Sequence, residues 1–169
     1  MSTRREWFAR AGAGAALAAL SPLMFLTGCE PGAEGASTGG ALAMNASGPL
    51  VRMRKNPGCG CCDKWAEHMQ ANGFRVESQE DPGIYEYKQQ LGIPRELVSC
   101  HTAEVEGYVI EGHVPADLVQ RMLEEKPAIV GIAVGGMPMG SPGMEGPYKD
   151  PYNVVAFRKD GTQMVYASR

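Results

Sequence analysis

An α/β domain of element order β-α-β-α-β-β-α, extended by a C-terminal Met/Gly/Pro loop and a β-hairpin, is what this sequence predicts. Three observations carry the prediction. Short alternating runs and amphipathic helical runs take turns from Leu50 to Glu125. Three thiols, Cys59, Cys61 and Cys62, stand where the first strand-like run gives way to the first helical one. A turn signal, Glu106-Gly107, then separates two apolar runs at hairpin spacing.

Each element has its own signal. Val51-Arg52-Met53-Arg54 alternates as a strand, and Asn56-Pro57-Gly58 is a turn. Cys62, Trp65, Ala66 and Met69 recur at helical spacing, and Asn72-Gly73 supplies the stop. Phe74 to Ser78 reads as a second strand. Asp81-Pro82 opens a helix with Ile84, Tyr87 or Lys88, and Leu91 along one face. Thr102 to Val105 and Tyr108 to His113 form the hairpin, and Pro115 begins a helix with Leu118, Val119, Met122 and Leu123 on its apolar side. An apolar run, Ala128 to Val134, precedes the loop Gly136 to Met144. A last hairpin, Asn153 to Arg158 and Thr162 to Tyr166, turns through Asp160-Gly161.

Cysteines at the start of the first helix of a β-α-β-α unit are the pattern of a thioredoxin-like half. In that fold the segment entering the hairpin passes over the cysteine turn, which places Cys100-His101 beside Cys59-Gly60-Cys61-Cys62. The second hairpin strand returns to the same end of the sheet, so His113 is expected there too.

The first 28 residues read as an export signal. Thr3-Arg4-Arg5-Glu6-Trp7-Phe8 resembles a twin-arginine motif. The Ala/Leu-rich run from Ala11 to Leu26 is broken by Gly and Pro22 and is short for a membrane span, which takes about 20 apolar residues. It ends at Leu26-Thr27-Gly28-Cys29, a lipobox-like sequence with Cys29 as the lipidated residue. Cleavage at Ala41-Leu42-Ala43 is the alternative, but that site lies far beyond the apolar run. Residues 29–49, rich in Gly, Ala, Ser and Thr, form a flexible tether, and residues 50–169 the domain. Removing the signal's three basic and one acidic residues from the chain's 16 and 19 leaves 13 and 18, a net charge near −5. No basic cluster is present, which argues against a nucleic-acid partner. The expected setting is the periplasm or cell envelope, touching the membrane only through the lipid anchor.

Four cysteines in an exported domain ordinarily mean two disulfides. Here three are crowded together, so at most one can reach Cys100 and the others would have to pair locally. The crowding points instead to metal binding or thiol exchange. Thiolate is the binding and reactive form, and a helix N-terminus stabilises it. Soft thiolate and thioether donors select Cu(I), and consecutive thiols bridge several ions more easily than they chelate one. Structural zinc sites use paired C-x-x-C spacing, and iron–sulfur clusters use other runs.

The expected metal ligands are therefore Cys59, Cys61, Cys62 and Cys100, with several Cu(I) ions as the cofactor. His101 is a ligand or an exposed strand residue, because strand neighbours point to opposite faces. His113 is expected at the site, and His68 to be a satisfied polar residue of the helix. Met137, Met139 and Met144 lie in a Gly/Pro loop that needs no thioethers for a core, and are ligands or incidental. Met69, Met122 and Met164 are expected to pack, with Trp65 in the core.

The chain resembles the CopG-type family of periplasmic copper-resistance proteins. The resemblance rests on Cys59-Gly60-Cys61-Cys62-Asp63-Lys64-Trp65-Ala66-Glu67-His68-Met69 and Ser99-Cys100-His101-Thr102-Ala103. It continues through Gly107-Tyr108-Val109-Ile110-Glu111-Gly112-His113-Val114-Pro115-Ala116 and Gly136-Met137-Pro138-Met139-Gly140-Ser141-Pro142-Gly143-Met144-Glu145. It implies a thioredoxin-like fold, a cysteine-bridged multinuclear copper site and a role in copper tolerance outside the cytoplasm. Copper ions and other periplasmic copper-handling proteins would be the partners. The expected function is copper binding rather than catalysis, with Cu(I)/Cu(II) cycling as a possible addition. A thiol–disulfide oxidoreductase using the Cys59/Cys62 spacing is the alternative.

Overall fold

The computed structural model describes residues 47–169. The export signal (1–28), Cys29 and the tether up to residue 46 lie outside the described residues. Among the described residues no helix is long and apolar enough to cross a membrane.

The expected order of elements is the order observed. Strand β1 (Leu50–Lys55) is followed by helix α1 (Gly60–Ala71), β2 (Arg75–Glu80), α2 (Ile84–Gln90), β3 (His101–Val105), β4 (Tyr108–Glu111) and α3 (Ala116–Glu125). Three further strands, β5 (Gly131–Ala133), β6 (Asn153–Phe157) and β7 (Gln163–Ser168), complete a mixed seven-stranded sheet. Its order is β2-β1-β3-β4-β5-β6-β7, with β1/β2 and β4/β5 parallel and the remaining pairs antiparallel. The apolar run Ala128–Val134 thus supplies a strand that carries the sheet on from the first hairpin to the last.

Alternation assigns the two faces of the sheet. Ile110, Ile132, Val154 and Ala156 pack with Trp65, Ala66 and Met69 of α1 and Leu118, Val119 and Met122 of α3. Val109, Ala133 and Phe157 face the other way, onto Ile93 and Leu97 from the segment after α2. Both faces of the central strands are therefore covered, which is why His101-Thr102-Ala103 is buried throughout rather than alternating. One expectation fails at the edge. Met164 is 47% exposed, because β7 is the outermost strand and lies beyond the cover of the helices.

Register places the thiols. Lys55, the last residue of β1, pairs with His101, the first of β3, and the Asn56 N–H donates to the Cys100 carbonyl at 3.3 Å. The end of β1 therefore delivers the cysteine turn beside the start of β3. Lys55 Nζ also binds both oxygens of Asp63 in the first turn of α1, at 2.6 and 2.8 Å. The Gly58 N–H donates to Glu80 Oε1 at 3.0 Å, which ties the turn to β2.

Candidate metal centre

Four sulfurs meet at the N-terminus of α1. Cys59 is the N-cap residue, Cys62 is wholly buried in the core, and Cys61 is half-buried between them. Cys59 Sγ lies 3.5 Å from Cys61 Sγ, Cys61 Sγ 3.8 Å from Cys100 Sγ, and Cys62 Sγ 3.4 Å from Cys100 Sγ. Cys59 and Cys62 are joined by a disulfide, whereas Cys61 and Cys100 are free thiols. The expectation against disulfides is thus corrected at one pair. The local pairing happens because a C-x-x-C step at a helix start holds the two Cα atoms 5.4 Å apart, within bridging range.

Two imidazoles complete the group. His113 Nε2 is 3.1 Å from Cys100 Sγ, and His101 Nδ1 is 3.6 Å from it. The potential donor atoms of Cys59, Cys61, Cys62 and Cys100 lie within 4.8 Å of one another, as do those of Cys100, His101 and His113. Cys100 is the sulfur common to both sets.

The chain orients these rings. His113 Nδ1 is 2.8 Å from the Pro142 carbonyl. A carbonyl only accepts, so Nδ1 carries the proton and Nε2 turns a lone pair toward Cys100. Metal-binding histidines are typically anchored this way through the opposite ring nitrogen. His113 follows Gly112, just past the end of β4, where φ is +70° and a Cβ would come within 2.6 Å of the Ser99 side chain. Glycine there lets the chain turn His113 back over the site.

His101 is fully buried, not exposed, and packs its ring 4.5 Å from that of Trp65 and 5.0 Å from that of His113. Its Nε2 has no hydrogen-bond partner among the described residues. Leaving such an atom unsatisfied costs about 1–3 kcal/mol, which an added ligand would recover.

Burial dominates the electrostatics. It pushes the Cys100 thiol up to about 12, and the neighbouring Cys61 adds to the effect. It holds His113 below its ordinary value against the opposing pull of the Pro142 carbonyl. It holds His101 well below, helped by the His113 and Lys88 charges. Burial thus favours the neutral forms of Cys100, His101 and His113, and sulfur and imidazole donors in so poorly hydrated a place suit a soft or borderline cation better than a hard one.

The Met-rich loop reaches the centre through its backbone. Gly136 N–H donates to the Val98 carbonyl at 3.1 Å, and Ser99 Oγ donates to the Gly136 carbonyl at 2.5 Å. At the far end Pro142 holds His113, and Gly143 sits so close that a Cβ would stand 2.6 Å from the Cys61 carbonyl oxygen. Met137 is 52% exposed, the Met139 thioether packs against Gly146, and Met144 is half-buried. His68 is a satisfied polar residue, as expected: its Nε2 accepts the Ala116 N–H at 3.1 Å and caps α3. Trp65 is core, with Nε1 donating to the Val114 carbonyl at 2.8 Å.

One feature escapes the sequence. Lys88 Nζ lies 2.6 Å from both Glu111 Oε1 and Thr102 Oγ1, and Ser99 N–H donates to Glu111 Oε1 at 2.6 Å. This almost fully buried ion pair braces the residue just before Cys100. Burial lowers Lys88 and raises Glu111, each opposed by its partner's charge. The only hint in the sequence was a lysine one turn after Ile84 and a glutamate inside an apolar strand.

Together these features define a class: a mixed α/β domain with a buried cysteine–histidine centre at one end of its sheet. A family model described as a protein of unknown function, DUF411, matches residues 97–144, which hold Cys100, His101, His113 and the loop Gly136 to Met144. No curated protein matches the chain. Two solved structures, described as copper resistance protein CopG, form 1 and form 2, are similar, each 40% identical. They superpose with TM-scores of 0.68 and 0.69 over 71% and 72% of this chain and 96% and 98% of theirs. The chain belongs to the CopG family.

Proposed function

We propose that this chain is an extracytoplasmic copper-binding protein of copper tolerance, which holds several Cu(I) ions in a site bridged by cysteine thiolates. The observation that carries the reading is the sharing of Cys100 between the four-sulfur group and the Cys100-His101-His113 group. A sulfur common to two donor sets is placed to bridge ions, and imidazole and thiolate both suit Cu(I). The orphaned nitrogen of His101 and the anchored ring of His113 fit the same use.

In this reading Cys59, Cys61, Cys62 and Cys100 supply the bridging thiolates once the Cys59–Cys62 bond is reduced. His101 and His113 cap the buried side, and Met137, Met139 and Met144 serve from the loop. Cu(I)/Cu(II) cycling belongs to the same proposal, as do anchoring through Cys29 and exchange of copper with other proteins of the envelope. The mild acidity and the absence of a basic cluster favour no nucleic-acid role.

The test is native mass spectrometry with elemental analysis of the reduced protein after anaerobic loading with Cu(I) and washing. Several coppers retained per chain is the expected result; one or none would end the multinuclear reading. A second reading, thiol–disulfide exchange, is favoured by the Cys59–Cys62 bond at the start of α1. Turnover of a test disulfide at enzyme-like rates, without copper, would put that reading first.

A further inference from the structure

Cys100 Sγ and His113 Nε2 face each other at 3.1 Å, yet neither residue belongs to a strand. β3 begins at His101 and β4 ends at Glu111. The Gly112 N–H donates to the His101 carbonyl at 3.1 Å, which joins the residues just inside the two donors and goes no further. The hairpin ladder therefore does not itself fix the donor atoms. His113 is fixed by the Pro142 carbonyl. Cys100 is held through the backbone around it: the Asn56 N–H donates to its carbonyl at 3.3 Å, and the Ser99 N–H donates to Glu111 Oε1 at 2.6 Å.

Glu111 makes that second bond from a locked position. Its Oε1 also accepts Lys88 Nζ at 2.6 Å, and its Oε2 accepts Thr102 Oγ1 at 2.5 Å. Lys88 Nζ donates to the same Thr102 oxygen at 2.6 Å, which closes the ring. Thr102 is also the register partner of Glu111 in the hairpin. One carboxylate thus ties α2, β3 and the residue before Cys100 together, with the Lys88 and Glu111 side chains 2% and 0% exposed. Apolar replacement of a buried ion pair is often neutral or stabilising, so stability alone gives no reason for charge here.

We infer that the Lys88–Glu111 pair is a positioning device for the copper site: Glu111, locked by Lys88 and Thr102, holds the Ser99 amide and so keeps Cys100 Sγ against His113 Nε2. The inference rests on the copper-binding reading and adds to it two residues that touch no metal. Groups that orient ligands from behind typically change metal affinity 10–100-fold when they are lost.

The experiment compares two double variants of the full chain. Glu111→Gln keeps an oxygen for the Ser99 N–H, whereas Glu111→Leu does not. Each is combined with Lys88→Met, so both doubles lack the charges and what separates them is the acceptor for Ser99. The reduced proteins are titrated anaerobically with Cu(I) against a chromogenic chelator, and urea midpoints are measured alongside. Without metal, labelling of Cys100 by iodoacetamide is timed by peptide mass. The double with Glu111→Gln is expected to bind Cu(I) close to wild type. The double with Glu111→Leu is expected to bind about 10–100-fold more weakly while still folded, and to label faster at Cys100. Equal loss in both doubles, or wild-type affinity in the folded Glu111→Leu double, overturns the inference. Either variant can overturn it alone, so misfolding of one leaves the other decisive. A wild-type chain that retains no Cu(I) ends the copper reading, whereas equal Cys100 labelling in the wild type and both doubles ends the positioning inference alone.

Discussion

At the scale of the residue, the centre depends on a few atoms whose positions are over-determined. Cys61 touches both Cys59 and Cys100, and in the proposed site its thiolate bridges ions. Cys61→Ser is expected to remove more than one copper per chain, counted by native mass spectrometry; loss of one ion or none contradicts bridging. Gly143 is held at φ +84° against the Cys61 carbonyl oxygen and the Trp65 amide, so a side chain there meets both strain and clash. Gly143→Ala should cost about 1–3 kcal/mol of stability in urea unfolding, and should loosen Cu(I) in a competition titration by displacing the loop that anchors His113. The thioethers have a separate test. Met137→Leu and Met144→Leu should weaken Cu(I) binding with little change in unfolding, and unchanged affinity would leave the loop as a cover alone.

At the scale of the element, α2 is joined to the central hairpin by the Lys88–Glu111 pair, which is 2% and 0% exposed at its two side chains. Taking two charges out of water is costly, and the pair persists because Thr102 and the Ser99 N–H complete its hydrogen bonds. Lys88→Met leaves the Glu111 carboxylate buried without a counter-charge and should cost about 3–5 kcal/mol in urea unfolding. Lys88→Met combined with Glu111→Leu should recover most of that loss. If the double variant is no better than the single, the pair is not the source of the effect. The sequence pointed to this face of α2 without choosing between Tyr87 and Lys88. The choice depends on Glu111, 23 residues away, and no local period reports on so distant a partner. The hairpin itself was legible, because Glu106-Gly107 and the flanking apolar runs form a local signal.

At the scale of the whole molecule, burial of imidazoles links the fold to pH. His68, His101 and His113 are all held below their ordinary value, with burial the leading cause in each. The unfolded chain therefore takes up protons first as the pH falls. Stability of the metal-free protein should be full above about pH 6.5 and should decline below it, toward the lowered folded-state values. A urea midpoint lower at about pH 5 than at about pH 7.5 is the expected outcome; a flat profile would mean that these rings are hydrated in solution.

By itself the sequence determined the order of elements, the hairpins, the apolar faces of α1 and α3 and the clustering of thiols, because each rests on neighbours along the chain. It also led to Cys100 and His113, since a hairpin must return its ends to one side of the sheet. Only the tertiary structure decided that His101 is buried, because strand alternation is silent on whether both faces of a sheet are covered. It alone decided that Met164 is exposed, that Cys59 pairs with Cys62, and that Pro142 orients His113. Those outcomes depend on which distant surfaces meet, and packing between them has no period that can be read along a chain.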